Sequence, residues 1–263
     1  MRVLPTTVDG VIDRLQQIID ESTATSSRLG YFAALYKRMT MAVRDGIRAG
    51  RFEDPARMER LDVMFANRYL ETREQYLAGE LHGQSWLQAY EAATSNRYSV
   101  LQQLLIGINP HIMIDLGVAA ARTCPGDQLA GLERDFNTID SVILSLFPVV
   151  DAELDAVSPV ENFVDHSLLG YLKNKAIDVS IDVGRQSSWE FATSLAYLDL
   201  PAQSIAIGHR DLEARRLGDC ILLDPAGLLA DRRQRDDVRA NIAVLNGPAT
   251  TSGKTPQTSS PQP

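Results

Sequence analysis

Cysteine is nearly missing from this chain: Cys124 and Cys220 are the only two. Neither belongs to a C-x-x-C pair, so a disulfide framework and thiol redox or metal chemistry are not indicated. Positive charge is the minority sign. There are 26 Lys and Arg against 34 Asp and Glu, giving a net charge of −8 and a pI near 5.1. A general nucleic-acid binder needs a basic stripe to neutralise phosphates, and docking on anionic lipid needs the same, so neither partner is expected. The P-loop, G-x-G-x-x-G, G-x-S-x-G and H-E-x-x-H patterns are missing. No fixed-period repeat is visible. The first residues, Met1 to Asp9, hold no apolar signal core, which leads to the expectation of a cytoplasmic protein. The longest apolar run, Leu104 to Ala121, contains Asn109, Pro110, His111 and Asp115, which argues against a membrane span.

What the chain does have is helical periodicity and enough apolar residues, 44% of 263, for a sizeable core. Val11, Ile12, Leu15, Ile18 and Ile19 recur at helical spacing. Ser27 is placed to cap a second helix with the stripe Tyr31, Phe32, Leu35, Tyr36, Met39 and Val43, ended by Gly50. Asp54-Pro55 restarts the chain, since Asp caps and Pro suits the first helical turn. That third helix should stop at Gly79, and a short one should cover Ser85 to Ala93. Tyr98 to Arg122 is apolar almost all round and belongs at the centre of a bundle. Cys124-Pro125-Gly126 closes it, a further helix starts near Asp127, and Pro148 should bend or end that one. Further helices are expected over Val160–Ala176, Ser187–Leu198 and Ala202–Leu223, with a last one running from Asp224-Pro225 to about Asn246. Ile177–Val183 and Cys220–Leu223 alternate weakly, as strands do, but have no hairpin partner. The fold class is therefore all-α: a bundle of roughly eight to ten helices around a buried central helix. Residues 1–246 form a single domain, and 247–263, rich in Pro, Ser, Thr and Gly, form a disordered tail.

The central helix carries the chemistry. His111 and Asp115 lie four residues apart and share a face. Burying an imidazole and a carboxylate in an apolar segment is costly unless each is paired. Pro110 disrupts the preceding turn, and Gly107 and Gly117 allow close approach by neighbours. Two readings follow. The pair could be a hydrogen-bond network that fixes helix register. Or it could be a metal or acid–base site, because His-x-x-x-Asp sets a nitrogen and an oxygen ligand side by side. Asp62 and Asp135 each lie on a helical stripe and complete a candidate metal set of His111, Asp115, Asp62 and Asp135, with a divalent metal as the cofactor. So oxygen-rich a set suits Mn, Fe or Mg at least as well as Zn. Asp140 and His166 are further possible partners, while His82 and His209 read as surface residues. Tyr31, Phe32, Tyr36, Phe65, Tyr69, Trp86 and Trp189 could line a small-molecule pocket. Arg28, Arg68 and Arg185 could meet an anionic ligand or the buried carboxylates.

Three stretches carry a resemblance. They are Ser27-Arg-Leu-Gly-Tyr-Phe-Ala-Ala-Leu-Tyr36, Phe52 to Asp62 running into Phe65-Ala-Asn-Arg-Tyr69, and Ile108-Asn-Pro-His-Ile-Met-Ile-Asp-Leu-Gly117. Over roughly residues 10 to 246 the chain resembles an uncharacterised, mainly bacterial family of helical domains of unknown function. The family's central motif resembles Asn-Ala-His-Ile-Asn-Leu-Asp-Leu. Asn109, His111, Asp115 and Leu116 match it, whereas Pro110 and Met113 depart from it. The resemblance implies the fold and no activity. The His-x-x-x-Asp pair alone is also similar to one in helical zinc phospholipases and single-strand nucleases, over five residues.

Three functions are thus in play. The first is a metal-dependent enzyme acting on a small molecule, with His111 and Asp115 catalytic. The second is a non-enzymatic ligand- or protein-binding module with a structural His/Asp network. The third is a metal-free, cyclase-like tailoring enzyme using His111 as general acid or base.

Overall fold

A computed structural model describes residues 3–144, 178–223 and 237–247. Every regular element among them is helical and none is a strand. The helices expected at Val160–Ala176 and from Asp224, the effect of Pro148 and the tail from Pro248 lie outside the described residues.

Local sequence sets the helix ends. Helix α1, Val8–Thr25, begins where Thr7 accepts the Gly10 amide at 3.1 Å. It buries Val11, Leu15, Ile18 and Ile19, each burial contributing roughly 1.5–3 kcal/mol. Helix α2, Gly30–Arg48, starts later than Ser27: Leu29 precedes it and no side chain caps it, because the chain makes a turn at Ser27–Leu29 first. Helix α3, Pro55–Ala78, has Asp54 accepting the Arg57 amide and ends at Gly79 with φ +72°. Helix α4 is Gln84–Thr94. Helix α5, Val100–Pro110, opens with a capping box in which Ser99 and Gln102 satisfy each other's backbone amides.

The rod begun by α5 does not stop at Pro110. It continues as a π-helical turn, His111–Leu116, and then as α6, Gly117–Thr123. Proline has no amide to give the carbonyl four residues back. The chain answers by widening to i→i+5 bonding. Gly126–Leu132 is a 3-10 segment, where a regular helix had been expected, and α7 follows over Glu133–Leu144. Helix α8, Asp178–Ala196, takes in residues 178–183 of the weak alternation, and Ile177 lies outside the described residues. Helix α9, Leu200–Leu223, likewise absorbs the one at Cys220–Leu223. Helix α10 is Val238–Asn246, capped by Asp237.

The rod Val100–Thr123 has a mean hydropathy of 1.6 in its most apolar window, enough by length and composition to cross a membrane, but 78% of that window is buried inside the protein. Helices α2, α4 and α9 pack on α5, while α3 and α8 pack on α6. Two core clusters result. One joins α1, α2, α4, α5 and α10 with the middle of α3, and the other joins the π turn, α6, α8 and the 3-10 segment with the start of α3. Phe65 on α3 packs against both. The glycines do what close packing requires. A Cβ on Gly107 would lie 2.9 Å from the Phe32 ring, and one on Gly117 would lie 2.9 Å from both Phe191 and the Ser188 carbonyl.

Candidate functional site

The π turn places His111 and Asp115 in the protein's interior, 3% and 0% exposed. Its loosened backbone is held from outside. Ser188 Oγ donates to the Ile112 carbonyl at 2.5 Å and Arg210 Nε to the Met113 carbonyl at 2.9 Å. Asn109 Nδ2 anchors the rod to the Ala214 carbonyl at 2.6 Å.

Asp115 is fully engaged. Arg68 Nε donates to Oδ1 at 2.7 Å, Trp86 Nε1 donates to Oδ2 at 3.0 Å, and His111 Nδ1 lies 3.3 Å from Oδ2. Trp86 reaches it because α4 is fixed at its start. Asp211 on α9 accepts the amides of Gln84 at 2.7 Å and Ser85 at 3.0 Å. Burial alone would raise the Asp115 carboxyl, but the Arg68 guanidinium and the His111 bond outweigh it and hold it below the usual range.

His111 sits within a cage of rings. Phe65 stacks on it face to face, with centroids 3.7 Å apart and planes 12° apart. Tyr36 stands edge-on at 4.5 Å and Phe32 at 5.4 Å, with Trp86 at 6.0 Å and Tyr69 at 6.3 Å beyond. Burial lowers the His111 pKa, against the pull of Asp115, so the ring is neutral near pH 7. With Asp115 an obligate acceptor, the bonding pattern assigns the ring proton to Nδ1 and leaves a lone pair on Nε2. That Nε2 is buried and has no hydrogen-bond partner.

Asp62 and Tyr36 share this condition. Asp62 is 7% exposed, and its Oδ2 has no partner. Burial, with the Glu59 charge adding to it, raises its carboxyl to about 7. The Tyr36 hydroxyl lies beside Thr40 without bonding geometry. Burial raises its pKa, and the charges of Asp62 and Asp115 raise it further.

Asp135 is occupied elsewhere. It accepts the amides of Glu53 at 2.7 Å and Asp54 at 3.1 Å, and the Arg57 guanidinium at 2.8 Å. These contacts fix the entry to α3. Among the described residues no three His, Cys, Asp or Glu side chains gather where they could hold a metal ion. The four-residue set expected from sequence is therefore not assembled there, because Asp135 answers to the backbone and Asp115 to Arg68.

Of the other expectations, Arg68 does meet a buried carboxylate, and Phe32, Tyr36, Phe65, Tyr69 and Trp86 do converge. Tyr31 instead accepts from Asn241, and Trp189 packs on Phe136 at 4.9 Å. His82 and His209 are exposed. His166 and the side chains of Asp140 and Arg185 lie outside the described residues. Sequence reasoning missed Trp86 as a donor to Asp115 and missed Ser188 and Arg210 as supports of the π turn. A shallow open depression on α7, lined by Glu133, Arg134, Asn137 and Thr138, includes none of the cage residues.

Comparison with known proteins finds no curated protein and no solved structure that matches. The model of a family of unknown function, DUF5995, matches residues 8–224, and the chain belongs to that family.

Proposed function

We propose that this chain is a metal-independent acid–base enzyme acting on a small molecule, with His111 as the proton-transfer residue. One observation carries the reading: an imidazole whose Nδ1 is oriented by a carboxylate while its buried Nε2 has no partner. Leaving a buried polar atom unsatisfied costs about 1–3 kcal/mol, and such atoms call for an explanation. A substrate proton supplies one. Nε2 takes the proton, the electron pair stays on the substrate, and the resulting imidazolium is stabilised by Asp115. The Phe65 face stacked on the ring favours that cation as well. Returning the proton to another substrate atom restores neutral His111, which is the balance of an isomerisation or cyclisation.

Arg68 and Trp86 hold Asp115 and do not touch the reacting atoms. Phe65 is half-buried and lies on the His111 face, so a rotamer change there opens the way in. The acidic surface agrees with a small-molecule partner and a cytoplasmic setting rather than with nucleic acid or lipid.

A second reading rests on a different observation, that Asp115 is completely satisfied. On that reading the network only fixes the rod's register, and the module binds without catalysis.

Nitrogen-15 NMR of the His111 ring and a fragment screen by melting temperature separate these. The expected result is the Nδ1-protonated tautomer, with fragments that stabilise the wild type and fail to stabilise His111→Gln. Fragments that stabilise both proteins equally would leave the register reading. Stoichiometric metal that disappears in His111→Ala would replace the proposal with a metal site.

A further inference from the structure

Two buried polar atoms without a partner belong to rings in contact: Nε2 of His111 on the π turn and Oη of Tyr36 on α2. The ring centroids are 4.5 Å apart and the planes stand at 80°. Tyr36 is held there by close packing. It stacks on Phe32 at 5.6 Å, and Phe32 lies against Gly107, where a Cβ would come within 2.9 Å of the ring. Thr40, one turn further on, spends its own proton on the Tyr36 carbonyl at 3.0 Å. Phe65 packs on both rings, its centroid 3.7 Å from that of His111 and 5.9 Å from that of Tyr36, and it is half-buried. Turning Phe65 aside opens one space that both rings border. Two orphans on adjoining rings call for one explanation.

The two atoms need opposite things. Nε2 holds a lone pair and Oη holds a proton, so one guest must bring a hydrogen to the first and an acceptor oxygen to the second. Burial raises the Tyr36 pKa, which keeps that proton in place at neutral pH. The rings that border both, Phe32, Phe65 and Tyr69, carry no charge, and Arg68 already balances Asp115. The fitting guest is neutral and largely apolar. A carbonyl compound with hydrogen on the adjacent carbon carries the acidic hydrogen and the acceptor oxygen within a few atoms of each other. We propose that Tyr36 is a second catalytic residue and that the substrate is a neutral carbonyl compound: as His111 takes the α-hydrogen, the Tyr36 hydroxyl bonds the carbonyl oxygen. The C–H electron pair moves into a carbon–carbon double bond and the oxygen takes up negative charge. The imidazolium forms at the same moment, so the interior gains no net charge. Returning a proton from Nε2 to the same carbon gives exchange with solvent, and returning it to another carbon of a conjugated enolate shifts the double bond. This rests on the acid–base reading of His111 and adds to it a hydrogen-bond donor and the substrate's chemical class.

The test incubates the full chain with β-tetralone, a neutral aromatic ketone, in heavy water and follows loss of the α-hydrogen signal by proton NMR. The wild type is expected to exchange that hydrogen well above the buffer rate. His111→Gln should fall to the buffer rate, and Tyr36→Phe should fall roughly a hundredfold, the effect of deleting one donor to a forming oxyanion. Tyr36→Phe should also melt no lower than wild type, because it deletes a buried hydroxyl that has no partner. Full exchange in Tyr36→Phe with none in His111→Gln overturns the role of Tyr36 and leaves the acid–base reading standing. Full exchange in both variants overturns that reading too. A melting temperature that drops in Tyr36→Phe means that the hydroxyl is already bonded within the fold, and overturns the proposal. Wild type that exchanges no faster than buffer assigns the two atoms to a bridging water and overturns the carbonyl class. The His111 tautomer and the fragment screen then judge the acid–base reading on their own.

Discussion

The two ends of α3's buried face treat their carboxylates differently. At the N-terminal end Asp135 receives two backbone amides and the Arg57 guanidinium, so both of its oxygens are bonded. Toward the middle, Asp115 is equally well served by Arg68 and Trp86, yet next to it lies His111, whose buried Nε2 has no partner. The first region is an anchor: it holds the entry of α3 against α7. The second combines an anchor with an unfinished interior. A buried charge is thus no sign of a site by itself, and the informative signal is the partner that is missing.

The contrast can be broken at Asp115. Asp115→Ala would strand Arg68, Trp86 and the His111 N–H in a dry interior, and removing one member of a buried pair costs about 3–5 kcal/mol. Urea unfolding should show that loss. If Asp115→Ala unfolds at the wild-type midpoint, the anchor does not exist.

Asp62→Asn should move stability the other way. The Asp62 pKa is raised to about 7 in the folded chain, above its ordinary value of about 4 in the unfolded one. Stability from its neutral form is therefore complete below about pH 4 and is lost as pH climbs through about 7. Above that, Asp62→Asn should exceed wild type by on the order of 3 kcal/mol, and the two should converge in mild acid. Parallel pH profiles for the two proteins would show that Asp62 already has a partner.

Asp135→Ala is expected to cost less, about 2–3 kcal/mol, because Arg57 can turn toward water when it loses its partner. The carboxyls of Asp135 and Asp115 are both held below the usual range, so their contribution is present above about pH 4 and fades as pH falls. Acid should thus release both anchors while it relieves Asp62, and chemical denaturation across pH would separate the two kinds of carboxylate.

Much of this architecture was legible in the residues. Asp54-Pro55, Gly79 and the all-apolar stretch from Tyr98 each determine structure locally, and each behaves as its chemistry requires. Pro110 announced a broken hydrogen bond, but not that the break would spread into a π turn. That depends on Ser188 and Arg210, which lie far along the chain and donate to the loosened carbonyls. The pairing of Arg68 with Asp115 was one of two options left open. Asp135 looked like a ligand because helical spacing shows a stripe and cannot show that the Glu53 and Asp54 amides face it. Helical spacing alone makes the Trp86 indole a pocket wall, since nothing local to α4 reveals which carboxylate its N–H will meet.

That indole has a practical consequence. The chain has two tryptophans, and Trp86 is the one bonded to Asp115 and stacked on Tyr90 at 5.3 Å. Replacing Trp189 with Phe would leave a single emitter at the heart of the protein. Its fluorescence maximum would then report, without any added label, each time the carboxylate beneath it changes company.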